Sequence, residues 1–344
     1  MRAAELVEIG RIAHRDVPEP VPGTGEIVLR TRAVGLCGTD LKAYVRGHPF
    51  FTPPCILGHE FTGDVLALGE GVERFRIGDT VVAAPYVECG VCDACRRGVG
   101  ELCSNKAFVS GALQEQILIP QRIVETATFF LPPGVEADVG TLAEPVACVL
   151  NGIERAGVRP GDTVLVVGGG PMGVLLAMVA RSLQATVLIS EISPKRIAAI
   201  EALGFPVADP STGALEKRMR VVLDREDADK VLIAVGVKGA AEEAIGRVAV
   251  GGTALVFGGL ARGERLEVDA YAIHYQEVGV VGSFGFRREH FREAVEWLEQ
   301  NNVAAAAMIT GRVGFAEIEA GFEMARRADG LKTVVMVHDG NEGE

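Results

Sequence analysis

The stretch Thr163-Val164-Leu165-Val166-Val167-Gly168-Gly169-Gly170-Pro171-Met172-Gly173 constrains the fold more than any other in this 344-residue chain. The apolar, β-branched run before the glycines describes a buried parallel strand. Val174 to Leu183 is an apolar segment of helical length. Strand, G-x-G-x-x-G, helix is the dinucleotide-binding pattern. Gly168 permits the tight turn, Gly170 lets the backbone approach a pyrophosphate, and Gly173 allows close helix–strand packing. The helix N-terminus, with Pro171 and Met172 in its opening turn, offers unpaired N–H groups and a positive dipole end to the phosphates.

A second strand, Thr186 to Ile189, follows and ends at Ser190-Glu191. Glu191 stands where an acidic side chain accepts hydrogen bonds from the adenosine ribose; the plainer reading is a solvated glutamate at a strand end. A carboxylate there repels a 2′-phosphate, so NAD is expected over NADP. Lys195 and Arg196 follow closely and would partly offset that repulsion, and Arg196 is placed with the coenzyme contacts. Further strand-like runs at Val231–Val235, Ala254–Phe257 and Val278–Val281 alternate with helical segments such as Lys195–Leu203 and Ala240–Val248. That rhythm predicts an α/β, doubly wound parallel sheet, expected over residues 146–283. Residues 1–145 read differently, with short β-like runs (Glu26–Ala33, Phe61–Ala67, Thr80–Ala84, Gln116–Ile119) between glycine and proline turns. Residues 284–344 are expected to return and complete that mainly-β domain; their polar tail, 339–344, is expected to fray.

Four of the seven cysteines read C-x2-C-x2-C-x7-C: Cys89, Cys92, Cys95 and Cys103. Such spacing suits a tetrahedral structural zinc held in a lobe of about residues 86–104, and an iron–sulfur cluster also uses cysteines two apart. Disulfides are disfavoured because Met1 to Gly10 lacks the apolar core of a secretory signal, which also suggests a cytoplasmic protein. Four thiolates leave no open position, so chemistry must come from elsewhere. Cys37, in Cys37-Gly38-Thr39-Asp40, and His59-Glu60 supply the ligand types of a catalytic zinc, and Glu144 adds a carboxylate within an apolar stretch. Taken singly, Cys37 reads as a small buried residue and His59 as a core histidine.

The net charge of −12 and the lack of any Lys/Arg cluster argue against nucleic acid. The least polar run, Val164 to Ala180, contains four glycines and a proline, and is a strand–turn–helix rather than a membrane span.

In their order along the chain, Cys37-Gly38-Thr39-Asp40, Gly58-His59-Glu60, the four-cysteine lobe, Glu144-Pro145 and the Gly168–Gly173 loop resemble the zinc-containing medium-chain dehydrogenases. Glu144-Pro145, Phe257-Gly258-Gly259-Leu260 and Ile273-His274-Tyr275 are similar to the sorbitol (L-iditol 2-) dehydrogenase branch. The resemblance implies a GroES-like catalytic domain, a Rossmann coenzyme domain, an active site in the cleft between them, and homodimers or homotetramers. It implies two zinc ions per chain, one structural on the lobe and one catalytic on Cys37, His59 and either Glu60 or Glu144. Thr39 would relay the proton of an alcohol or polyol substrate during hydride transfer to NAD. Lys42 stands where many relatives carry a relay histidine, and its implied contact is with the coenzyme ribose or pyrophosphate. The short segment Asn105–Gly111 and the run Ile233-Ala234-Val235-Gly236 also depart from the family pattern and bear on the substrate.

Overall fold

Gly35 ends the strand around which the first unit is built. This strand, Ile27–Gly35, is apolar at most positions and nearly all buried, as expected for the centre of a sheet. The long Glu60–Leu68 strand runs antiparallel along one of its edges, with Gly35 opposite Glu60. The other edge is shared by Gln116–Ile119 and by Lys332–Met336, a strand some three hundred residues away in sequence. Thr80–Ala83, Thr128–Phe130 and Ile309–Gly314 complete a seven-stranded sheet. The structure, a computed structural model, describes residues 1–328 and 330–338, so the tail expected to fray lies outside the described residues.

The chain divides into two compact units, Met1–Ala147 with Phe286–Glu344, and Cys148–Gly285. In the second unit six parallel strands lie in the order Val207–Ala208, Thr186–Ser190, Thr163–Val167, Ala228–Ile233, Val248–Val256, Gly279–Gly282. Written by sequence this is the doubly wound order 3-2-1-4-5-6, whose ligand crevice opens at the carboxyl ends of the strands. Leu165, Leu188, Val231 and Ile233 form its core, with Leu215, Met219 and Leu223 packed onto the same cluster. The helix Leu215–Val222 turns Leu215 and Met219 inward at helical spacing, and the strand Ile309–Gly314 alternates, with Ile309, Gly311 and Val313 buried.

The first glycine-loop strand ends at Val167, and Gly168 adopts a φ of +101°, which strains any residue with a Cβ. The next helix, Pro171–Ser182, has a proline in its first turn and buries every residue from Gly173 to Ala180. A Cβ at Gly173 would overlap the carbonyl oxygen of Gly168. Gly173→Ala is therefore expected to cost about 2–3 kcal/mol through overpacking, read as a fall in Tm, together with weaker dinucleotide binding in titration calorimetry.

Candidate active site and metal centres

Cys37 ends an extended segment and directly precedes the helix Gly38–Arg46, whose third residue, Asp40, is completely buried. A buried carboxylate must be neutralised by partners, and Asp40 has three. Its Oδ2 accepts from Cys37 N at 3.1 Å, its Oδ1 accepts from Gly58 N at 3.1 Å, and Oδ1 lies 3.3 Å from His59 Nδ1. Burial opposes ionisation of Asp40, but His59 and the two backbone donors outweigh it and hold its pKa below the usual value. One carboxylate thus ties the Cys37 turn to the Gly58-His59 turn and leaves His59 Nε2 for another partner. Burial lowers the proton affinity of His59, while Asp40 and Cys37 raise it, and the net effect is a pKa well above the usual value.

Ligand atoms of Cys37, His59 and Glu60 all lie within 4.8 Å of one another. Sulfur, imidazole and carboxylate around one point fit a zinc with an open coordination position. Glu144, 9% exposed in the first turn of the helix Ala143–Ala156, lies outside this group.

Glu60 has a partner that motif reading missed. Its carboxylate forms an ion pair with Lys332, and the two side chains are 0% and 3% exposed. Burial alone would push the lysine pKa down, but Glu60, then Cys37 and Glu144, overcome that and raise it. Lys332 therefore sits as an ammonium ion beside three groups taken as candidate ligands. Gly35 makes the pair possible: a Cβ there would collide with the Glu60 carboxylate and stand 3.0 Å from Lys332 Cε. The available signal was a lysine opening the apolar run Thr333–Val337, which becomes the strand Lys332–Met336.

The four-cysteine lobe closes on itself. Among its sulfurs, Cys92 lies 3.4 Å from Cys95 and 3.6 Å from Cys103, and Cys89 lies 3.9 Å from Cys95. Four sulfurs about 2.3 Å from a central zinc would stand roughly 3.8 Å apart, so the arrangement could hold that ion. It is too open for disulfides. Backbone N–H groups of Cys89, Cys92 and Asn105 donate to these sulfurs at 3.3–3.4 Å. Hydrogen bonds from the backbone of Val91 and Cys92 bring the Cys89 thiol down to about 6, whereas burial and then Cys92 push Cys95 up to about 12. The crowded sulfurs thus share protons that a metal would displace. Two arginines at the start of the Arg288–Ala306 helix anchor the lobe: Arg288 Nε donates to Glu88 Oε1 at 2.6 Å, and Arg287 Nη1 to Gly98 O at 3.3 Å.

In the second unit Glu191 turns back over the glycine loop. Its Oε2 accepts from Gly169 N at 2.7 Å, and its Oε1 accepts from Ile192 N and Ser193 N, both at 2.8 Å. Arg196 Nη1 lies 4.0 Å from Glu191 Oε2 and close above Gly170. Thr39 and Lys42 lie in the first unit, on the helix that follows Cys37. No helix among the described residues is long and apolar enough to cross a membrane.

Comparison with known proteins agrees with this layout. The alcohol dehydrogenase GroES-like domain family matches residues 23–128, and the zinc-binding dehydrogenase family matches residues 171–300. The chain is 32% identical to an L-galactonate-5-dehydrogenase of Escherichia coli K12, over 88% of this chain and 89% of that protein. It is 33% identical to a D-altritol 5-dehydrogenase of Agrobacterium fabrum, over 92% and 94%. The structure superposes with a TM-score of 0.88 on a zinc-binding dehydrogenase from Sinorhizobium meliloti solved with NADP, at 30% identity over 98% of this chain and 99% of that one. The chain belongs to the zinc-containing medium-chain dehydrogenases, in their polyol dehydrogenase branch, and is a zinc-dependent alcohol oxidoreductase.

Two tests follow from the buried ion pair and the four-cysteine lobe. Lys332→Met leaves the Glu60 charge without its partner and is expected to cost about 3–5 kcal/mol in chemical denaturation, with most of the loss recovered in Lys332→Met/Glu60→Gln. Cys95→Ser should lower bound zinc by one equivalent per chain and lower the Tm, because the lobe's metal affinity is part of its folding energy. Full zinc content in that variant would remove the lobe as a metal centre.

Proposed function

We propose that the chain oxidises a secondary hydroxyl of a polyol or sugar alcohol to a ketone, with NAD preferred over NADP as hydride acceptor. The observation that carries this reading is the Cys37–His59–Glu60 cluster with its Asp40 and Lys332 partners. Zinc, when bound there, supplies Lewis acidity toward the substrate oxygen, and the nicotinamide supplies the hydride acceptor. Asp40 orients His59, and Lys332 compensates the charge of Glu60. Glu144, near enough for Lys332 to feel its charge, is the alternative third ligand. The Thr39 hydroxyl takes the proton of the substrate hydroxyl and passes it toward the coenzyme ribose and Lys42. The residues assigned to the coenzyme are Gly168, Gly170, Pro171, Met172, Gly173, Glu191 and Arg196, with Lys42 toward its ribose or pyrophosphate, and Cys89, Cys92, Cys95 and Cys103 are assigned to a structural zinc.

Glu191 supports NAD because its carboxylate is fixed by three backbone donors at the lip of the loop, where a 2′-phosphate would meet negative charge. Arg196 works against this only partly, standing 4.0 Å away. The relatives' names, which include a polyol and a sugar acid dehydrogenase, support the polyol reading. A cytoplasmic homodimer or homotetramer is part of the proposal; among the described residues the strand Gly279–Gly282 is the last of the parallel sheet, with Val280 36% exposed, a surface suited to a second copy.

NAD reduction measured across hexitols, pentitols, threonine, inositols and simple alcohols tests the substrate class; ethanol as the best substrate would sink it. Glu191→Ser should raise kcat/KM for NADP relative to NAD by tenfold or more, and a wild type that already prefers NADP would refute the role of Glu191. Glu144→Ala should lower kcat or zinc retention while leaving the Kd for NAD nearly unchanged. Full activity with full zinc content would remove Glu144 from the site.

A further inference from the structure

Glu60, Gly35 and Val334 stand in one row across three neighbouring strands, Glu60 opposite Gly35 and Gly35 opposite Val334. Lys332 lies two residues before Val334 and so shares its face of the sheet. Gly35 has no side chain to fill the gap, and the ammonium group of Lys332 reaches across it to Oε2 of Glu60. The second oxygen, Oε1, is buried and has no hydrogen-bond partner among the described residues. A buried carboxylate oxygen in that state is costly unless a cation or a donor meets it. The same carboxylate lies within 4.8 Å of the Cys37 sulfur and the His59 imidazole. One carboxylate thus serves two cationic positions: the ammonium ion on Oε2, and the point where Cys37 and His59 would hold a metal.

We propose that Lys332 is a positioning residue that keeps Glu60 a partial, releasable metal ligand by holding one of its two oxygens. This rests on the Cys37–His59 metal site of the reading above and deepens it. A carboxylate already paired with an ammonium ion gives less charge to a metal and cannot close on it with both oxygens. The position that the substrate oxygen needs then stays open. In the metal-free protein Lys332 is the cation paired with Glu60. Without Lys332 the carboxylate is buried and uncompensated, and a divalent cation becomes its best available partner. Loss of Lys332 therefore destabilises the metal-free protein more than the metal-bound one. By reciprocity, the variant binds the metal more tightly than the wild type does. A lysine that served only the sheet would act in the opposite direction, because a loosened strand scatters Cys37, His59 and Glu60.

The experiment measures zinc affinity by competition with a chromophoric chelator, following the equivalent per chain that Cys37→Ser removes. Lys332→Met is expected to hold that zinc about tenfold or more tightly than the wild type. Lys332→Met/Glu60→Gln should show no such gain over Glu60→Gln, since the effect passes through the carboxylate. Lys332→Arg keeps an ion pair, and its fork can take both carboxylate oxygens, so it should hold zinc several-fold less tightly than the wild type. That variant carries the test if the methionine variant does not fold. Equal or weaker binding in Lys332→Met would overturn the inference, as would wild-type affinity in Lys332→Arg. So would a gain that persists in the Glu60→Gln background, because Lys332 would then act on the metal by direct repulsion. A wild type with no zinc equivalent dependent on Cys37 would instead overturn the metal site itself.

Discussion

A lysine and a glutamate, both almost entirely out of water, meet at the end of the central strand of the first unit. Each would be costly to bury alone, and together they are tolerable only because the geometry is close and other charged groups surround them. The strand Lys332–Met336 brings the lysine, the strand beginning at Glu60 brings the carboxylate, and Gly35 between them leaves the space. Cys37 and His59 are carried by the turns adjoining these same strands. The candidate metal cluster is therefore a property of the sheet's register, and a slip of one residue in any of the three strands would disperse it.

The two candidate metal centres are built in opposite ways. The four-cysteine lobe takes all its sulfurs from fifteen consecutive positions, so it closes locally and needs the rest of the unit only as an anchor, through Arg287 and Arg288. The Cys37–His59–Glu60 cluster draws on separated turns and depends on Asp40 to lock them. The lobe has four soft ligands and no open side. The cluster has mixed ligands, a raised proton affinity on His59 and a compensating ammonium ion close by. The two candidate centres thus differ in ligand count and neighbouring charge as well as in ligand identity.

The coenzyme unit shows how little freedom a phosphate loop has. The positive φ of Gly168 makes the turn, Gly173 presses onto the carbonyl of Gly168, and Glu191 accepts from the loop's Gly169 N–H. Loop, strand end and carboxylate are thus tied to one another by steric and hydrogen-bond constraints, and such preorganisation reduces the entropy that binding must overcome.

Much of this was legible along the chain. The glycine loop, the alternating strands and helices after it, and the C-x2-C-x2-C-x7-C lobe are local patterns, set by backbone sterics, hydrophobic period and ligand spacing over a few residues. The motif Cys37-Gly38-Thr39-Asp40 and the pair His59-Glu60 could be singled out by chemistry, but their meeting could not be derived from spacing, because contacts across twenty residues depend on how a sheet is wound. Lys332 was less legible still. Nothing within the strand Lys332–Met336 distinguishes a lysine that snorkels to solvent from one buried against Glu60, and only the pairing of that strand with Ile27–Gly35 decides between them. Local sequence determined which elements form and which residues are capable of chemistry. Tertiary structure decided which of those residues share a dielectric environment, and with it which charges are paired, because charge compensation is made between strands that only the folded sheet brings together.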